Sequence, residues 1–161
     1  MPRPPALGPR GEGWVIVQVI LFGAIGLAGL AAAGQWTGPA VTASLVAGSL
    51  FIGAGGLLAT AGLTGLQGGD ALTAVPYPRE AARLVESGPY RLVRHPIYGG
   101  IVIAAIGWGL VRASIPALAG AAILLAFFDL KRRREEAWLR ERFAGYDEYA
   151  ARTRRMIPWL Y

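Results

Sequence analysis

The chain has 161 residues, 54% of them hydrophobic and only 16% charged, with a net charge of +6 and no cysteine. Ordinary globular domains carry about 25% charged residues, so this composition excludes a disordered chain, a collagen-like fibre and a disulfide-stapled scaffold. Thiolate metal sites are excluded with the cysteines, and the single histidine, His95, excludes a multi-histidine metal site. The 57 residues between Glu12 and Asp70 contain no Asp, Glu, Lys, Arg or His. Such a stretch cannot form the polar outer face a water-soluble domain needs. The expected fold class is therefore an all-α integral membrane protein, with about four transmembrane helices followed by a C-terminal amphipathic cytoplasmic helix. Its positive charge points to anionic headgroups rather than nucleic acid, because the basic residues flank apolar spans.

Residues 1–12 are rich in Pro and Gly, carry Arg3 and Arg10, and read as a disordered leader. Trp14 to Ala33 is a 20-residue apolar run, enough to cross a hydrocarbon core of about 30 Å. It is too long for a signal-peptide core, and a second apolar segment follows, so a retained helix is expected. After a turn at 34–39 the second span runs from Val41 to about Leu66. It is dense in Gly and Ala, and small residues let helices approach closely in lipid. Ala28/Ala32 and Ala61/Gly65 have the spacing for such contacts, although both residue types are also common in any membrane helix.

The polar connection from Gln67 to Arg94 holds Asp70, Arg79, Glu80, Arg83, Glu86, Arg91 and Arg94. Pro76 and Pro78 interrupt it, a short helix is expected over 79–86, and Ser87-Gly88-Pro89 ends that helix. The third span, Ile97 to Val111, is short. Pro116 stands near the start of the fourth, Ala117 to Leu130. From Lys131 onward the chain turns basic, and the 131–161 tail has nine basic and five acidic residues. Trp138, Leu139, Arg142, Phe143, Tyr146 and Tyr149 recur near helical spacing. They predict an amphipathic helix on the membrane surface, interrupted at Ala144-Gly145. Four spans place both termini, the 67–94 loop and the tail on the cytoplasmic side, leaving only Arg112 outside.

Two segments carry the chemistry: 87–98 and 134–139. Singly, each has a plain structural explanation. His95 can cap a helix, Arg91 and Arg94 can reach lipid headgroups, Tyr90 and Tyr98 can sit in an interface belt, and Glu135 and Glu136 can neutralise the basic run. Together they form the pattern Gly88-Pro89-Tyr90-Arg91-x-x-Arg94-His95-Pro96-x-Tyr98, then Glu135-Glu136-x-x-Leu139, then Phe143, Tyr146, Tyr149, Arg154, Arg155 and Pro158. This pattern resembles the isoprenylcysteine carboxyl methyltransferase family. The related phospholipid N-methyltransferases share the general plan. The resemblance covers residues 72–161, the motif-bearing part of a single membrane methyltransferase domain over 13–161.

The resemblance implies an S-adenosylmethionine-dependent methyltransferase. Its cofactor is clasped between the loop before the third span and the segment after the fourth. Carried over by position, Arg83, Leu84 and Val85 approach the cofactor, Tyr90 and Arg94 follow, and His95, Pro96, Ile97 and Tyr98 form the core of the site. Glu135 or Glu136 supplies the acid, and His95 and Glu135 are the candidates for a catalytic role. The residue chemistry agrees with this. A carboxylate can accept hydrogen bonds from the ammonium or the ribose hydroxyls, arginines and helix-start amides suit a carboxylate, and aromatic faces suit adenine or a sulfonium. The expected acceptor is a small hydrophobic or lipid-like molecule reached from the bilayer, and the expected location is the cytoplasmic membrane of a prokaryote. An arginine that contacts substrate in eukaryotic members has no counterpart here; the nearest positions are Asp129 and Lys131. The non-enzymatic alternative is a small transporter or assembly subunit. Proton exchangers of this size need a carboxylate inside a span, and only Asp129, at the end of the fourth, is available. A nicotinamide-dependent membrane reductase is the third reading, because sterol-type reductases share a distantly similar C-terminal plan.

Overall fold

The structure is a computed structural model that describes residues 4–73, 75–78 and 80–161. Arg3 and Arg79 lie outside the described residues. The order of elements is α1 (Glu12–Ala31), α2 (Pro39–Gly68), a 3-10 turn (Gly88–Arg91), α3 (Pro96–Val111), α4 (Ile115–Arg142) and α5 (Tyr146–Arg152). Residues 4–11 lie against this body. The Trp14 indole donates to the Pro5 carbonyl at 3.2 Å, and the Tyr77 amide donates to the Arg10 carbonyl at 3.2 Å.

Prolines and a cap set the helix starts. Pro39 and Pro96 open α2 and α3, where the missing N–H costs nothing. The Ser114 hydroxyl caps α4 by accepting the Ala117 amide. Between α2 and α3 the packing is glycine on glycine. A Cβ on Gly48 would stand 2.7 Å from the Gly107 carbonyl, and one on Gly100 would stand 2.5 Å from the Gly55 carbonyl. Gly48, Gly55 and Gly62 recur every seven residues, close to two helical turns, so the seam stays on one face of α2. Gly62 carries it to Pro96 and Ile97 at the start of α3. Gly65, of the expected Ala61/Gly65 pair, meets the Tyr90 ring instead. On the other side of α3 lies α4, and α1 packs chiefly on α4.

Three expectations need correction. Four spans are expected, but only α1 and α2 are long and apolar enough to cross a membrane by length and composition. Helix α3 has 16 residues, about 24 Å of rise, and sits between α2 and α4 with its glycines buried. Helix α4 begins apolar and ends charged. The tail does not start a separate surface helix at Lys131. Helix α4 runs through to Arg142, because Lys, Arg, Glu, Ala and Leu all favour helix and Asp129, Arg132 and Glu136 pair along one face. Lys131, Arg132, Glu136 and Trp138 are buried, so this half turns inward rather than onto lipid. The break at Ala144-Gly145 is where the sequence places it. Residues 82–86 form no helix; the Arg83 amide donates to the Gly69 carbonyl at 3.3 Å, and Ala82 to Val85 wall a cavity.

Beyond α5 the chain doubles back as a hook. Val93 and Arg154 form a parallel bridge. The Arg94 amide donates to the Arg154 carbonyl and the His95 amide to the Arg155 carbonyl, both at 2.9 Å. Met156 is fully buried, and its carbonyl occupies the place a Cβ on Gly99 would need.

The seam predicts a contrast. Gly100→Ala drives a methyl group into the α2 backbone and should cost about 1–3 kcal/mol, as overpacking does. Gly53→Ala, facing open space, should leave the thermal midpoint in detergent unchanged. Equal midpoints for the two variants would disprove the seam.

Candidate active site

The N-terminal end of α1, the C-terminal end of α2, the start of α3, the charged half of α4 and α5 enclose a cavity of about 400 Å³. That volume falls in the range of small-molecule sites, roughly 300–1,000 Å³. Most of its wall is apolar, with Leu63, Ile101 and Leu139 part of it, and residues 71–73, 75–76, 78 and 82–85 line one side.

Glu135 is the carboxylate on this wall. The Tyr98 hydroxyl donates to Glu135 Oε2 at 2.7 Å, and His95 Nδ1 stands 3.8 Å from the same oxygen. The His95 and Tyr98 rings are stacked 5.3 Å apart, and Tyr98 stacks in turn on Phe128 at 4.5 Å. Lys131 Nζ lies 5.1 Å from the centre of the Tyr98 ring and donates to Gln18 Oε1 at 2.5 Å, tying α4 to α1. Burial lowers the Lys131 pKa, and the neighbouring Glu135 charge opposes that shift.

Glu136 lies one residue, and so about 100°, further round the helix. Its carboxylate is 5% exposed and bridges several cationic side chains. Arg94 Nε reaches Glu136 Oε1 at 3.1 Å and His95 Nε2 reaches it at 3.2 Å. Arg132 and Arg140 stand 3.6 and 3.4 Å from the carboxylate. Burial pushes the Glu136 carboxyl up, but the His95 hydrogen bond and charge, together with Arg94, outweigh it and hold the group well below the usual carboxylate range. Arg94 Nη1 also donates to the carbonyls of Ala150 (2.8 Å) and Thr153 (2.6 Å), so this network anchors the hook.

Most of the residues singled out by sequence meet at the cavity. Arg83, Leu84, Val85 and Tyr90 line it from the loop and the 3-10 turn; Arg94, His95, Ile97 and Tyr98 line it from the start of α3. Glu135 lines it from α4. Two do not reach it. Pro96 is fully buried against Gly62, and Glu136 faces the network behind the wall. The polar lining residues not singled out for binding include Gln18, Lys131 and Tyr146. Gln18 had a signal, being the only amide, hydroxyl or charged side chain between Trp14 and Ala33. Tyr146 is 1% exposed, and its buried hydroxyl has no hydrogen-bond partner among the described residues. Burial raises the pKa of Tyr90, Tyr146 and Tyr149, so all three keep their protons. The Tyr149 hydroxyl uses its proton on the Tyr90 carbonyl at 2.9 Å, and that of Tyr90 points to the Gly62 carbonyl at 3.3 Å.

The family model described as phospholipid methyltransferase matches residues 43–145. Among curated relatives, the probable protein-S-isoprenylcysteine O-methyltransferase of Oryza sativa subsp. indica is 34% identical over 80 residues, 48% of this chain and 42% of that protein. Protein-S-isoprenylcysteine O-methyltransferase B of Arabidopsis thaliana is 34% identical over 83 residues, 50% of this chain and 42% of that protein. The nickel-cobalt-cadmium resistance protein NccN of Alcaligenes xylosoxydans xylosoxydans is 34% identical over 83 residues, 51% of this chain and 39% of that protein. The matched part of this chain thus spans about two-fifths of the length of these relatives. The fold and the match define a helical protein of the membrane methyltransferase class. The chain belongs to the phospholipid methyltransferase family and is similar within it to the isoprenylcysteine methyltransferases.

The Glu136 network predicts acid lability of a definite sign. Its folded pKa lies below the unfolded value of about 4.3, so its contribution is complete above that pH and is lost as pH falls further. Glu136→Gln leaves Arg94 buried without its partner and should lower stability at pH 7 by about 3–5 kcal/mol. The gap in thermal midpoint between wild type and variant should narrow below about pH 4.5. A gap that stays constant down to acid pH would contradict the network.

Proposed function

We propose that this protein is a membrane-embedded methyltransferase that uses S-adenosylmethionine to methylate a carboxylate, amine or thiol on a small hydrophobic or lipid-like acceptor. Both termini and the site then face the cytoplasm. The observation that carries the reading is Glu135, a carboxylate held by Tyr98 on the wall of a largely apolar, aromatic cavity, in a chain of this family. The donor set suits an adenosyl sulfonium. Glu135 can accept from an ammonium or ribose hydroxyls, the Tyr146 hydroxyl offers an unused donor, and Tyr90 offers an aromatic ring.

When bound, S-adenosylmethionine supplies a methyl group on a cationic sulfur, open to in-line attack by the acceptor. The protein's part is alignment and exclusion of water. The stack of His95, Tyr98 and Phe128 fixes the wall on which Glu135 stands. Arg94 is spent on Glu136 and on two tail carbonyls, so it sets the frame rather than touching the ligand. His95 is likewise a positioning residue, with Nε2 bonded to Glu136 and Nδ1 turned to Glu135. A carboxylate acceptor is already an anion and needs no base. For an amine, Glu135 is the group placed to take the proton. The isoprenylcysteine carboxyl group named for the plant relatives is one member of the proposed acceptor class.

Calorimetry on the purified protein in detergent should show S-adenosylmethionine binding. Glu135→Gln should weaken it at least about tenfold, the scale of one hydrogen bond to a charged group, with the thermal midpoint preserved. An unchanged affinity in that variant would remove Glu135 from the site. Transfer of labelled methyl to acceptors with apolar tails then identifies the substrate.

A further inference from the structure

We propose that the C-terminal hook, residues 154–161, seats in the headgroup layer of the bilayer that holds the helices, with anionic phospholipid as its partner. The inference rests on the membrane location and not on methyl transfer.

Two contacts fix the level of the hook. The Met156 carbonyl lies against Gly99 in the first turn of α3, and the Tyr161 hydroxyl donates to Asp129, where the apolar half of α4 ends. Both mark the boundary between apolar and charged chain. At that level the hook exposes apolar side chains. Trp159 is 83% and Leu160 79% exposed, whereas Met156 beside them is buried. A backbone turn presents them: the Met156 amide donates to the Tyr161 carbonyl at 2.9 Å and the Leu160 amide to the Ile157 carbonyl at 3.2 Å. Trp159 adopts φ +62°, a left-handed conformation disfavoured for residues with a Cβ, so the outward indole is held there at some cost.

Charge surrounds the patch. Arg154 and Arg155 are exposed on the hook, and exposed Arg91 lies in the 3-10 turn two residues before Val93, which bridges to Arg154. None of the three pairs with a carboxylate among the described residues. Arg155 lies over the Tyr161 ring, 4.7 Å from its centre. Tryptophan beside arginines that have no carboxylate partner among the described residues is the composition that binds an anionic interface at a membrane boundary. The same segment holds the site, since the Arg154 and Arg155 carbonyls accept the Arg94 and His95 amides.

The chain has no cysteine, so Leu160→Cys in the full chain gives one thiol for an environment-sensitive fluorophore. In phosphatidylcholine vesicles containing phosphatidylglycerol, the label should emit at shorter wavelength and be quenched by brominated lipid. A label at exposed Glu148→Cys on α5 should report water. Arg154→Gln with Arg155→Gln should lower the ratio of seated to lifted hook roughly 25-fold, about fivefold for each arginine. Circular dichroism of this double variant must match wild type, and Leu160→Cys alone, at an exposed position, tests seating without it. A label at 160 that reports water in both lipid mixtures overturns the proposal. Equal quenching with and without phosphatidylglycerol overturns the choice of partner. The readout needs no ligand, so failure here leaves the methyltransferase reading standing.

Discussion

A buried carboxylate that cannot reach water must be surrounded by cations, and Glu136 is placed so that doing this assembles the protein. Its partners come from three places: His95 and Arg94 at the start of α3, Arg132 and Arg140 on its own helix, and through Arg94 the carbonyls of Ala150 and Thr153. One anion thus joins α4, α3 and the end of α5. Breaking such a cluster exposes each remaining charge to a low-dielectric interior, and that penalty keeps the arrangement discrete rather than sliding. Glu135, the next residue, inherits a fixed backbone and a fixed neighbour in His95. Its separate task at the cavity wall depends on the adjacent glutamate being occupied elsewhere.

This division between two consecutive glutamates was not legible in the sequence. Both stand in the same motif, and only the 100° step of the helix sends one to the cavity and the other behind it. The cavity itself was legible. Arg83 to Val85, Tyr90, His95, Tyr98 and the acidic pair were named from their pattern, and all but Glu136 of these reach it. Other features were hidden because apolar pattern reports burial without naming the solvent. Helix α3 reads as a span but is flanked by α2 and α4 and too short to qualify alone. The basic run at 131 reads as a new surface helix, because sequence does not show that Lys131 and Arg132 find partners inside. Tyr146 and Gln18 line the wall through tertiary placement alone, although Gln18 was conspicuous in its apolar run.

Aromatic stacking complements the charge cluster. Phe128, Tyr98 and His95 form a column from the apolar half of α4 to the polar end of α3, and Lys131 sits over its middle ring. The column carries rigidity from the apolar half of α4 to the charged residues beside the cavity. It also lets a pocket with polar groups form at the lip of a mostly hydrophobic bundle: the last apolar turn and the first polar turn share the same rings.

The glycine seam gives the molecule an unusual mechanical character. Because α2 and α3 meet backbone to backbone at Gly48 and Gly107 and at Gly55 and Gly100, with the short side chains of Ala59 and Ala104 beside them, the pair packs as a stiff plank. Its last contact, Gly62 against Pro96 and Ile97, lies next to His95. A side chain at Gly48 or Gly55 would meet the α3 backbone at Gly107 or Gly100. Drift in those distant glycines would be felt at the water-side rim as misalignment, which makes them silent partners in whatever selectivity the pocket has.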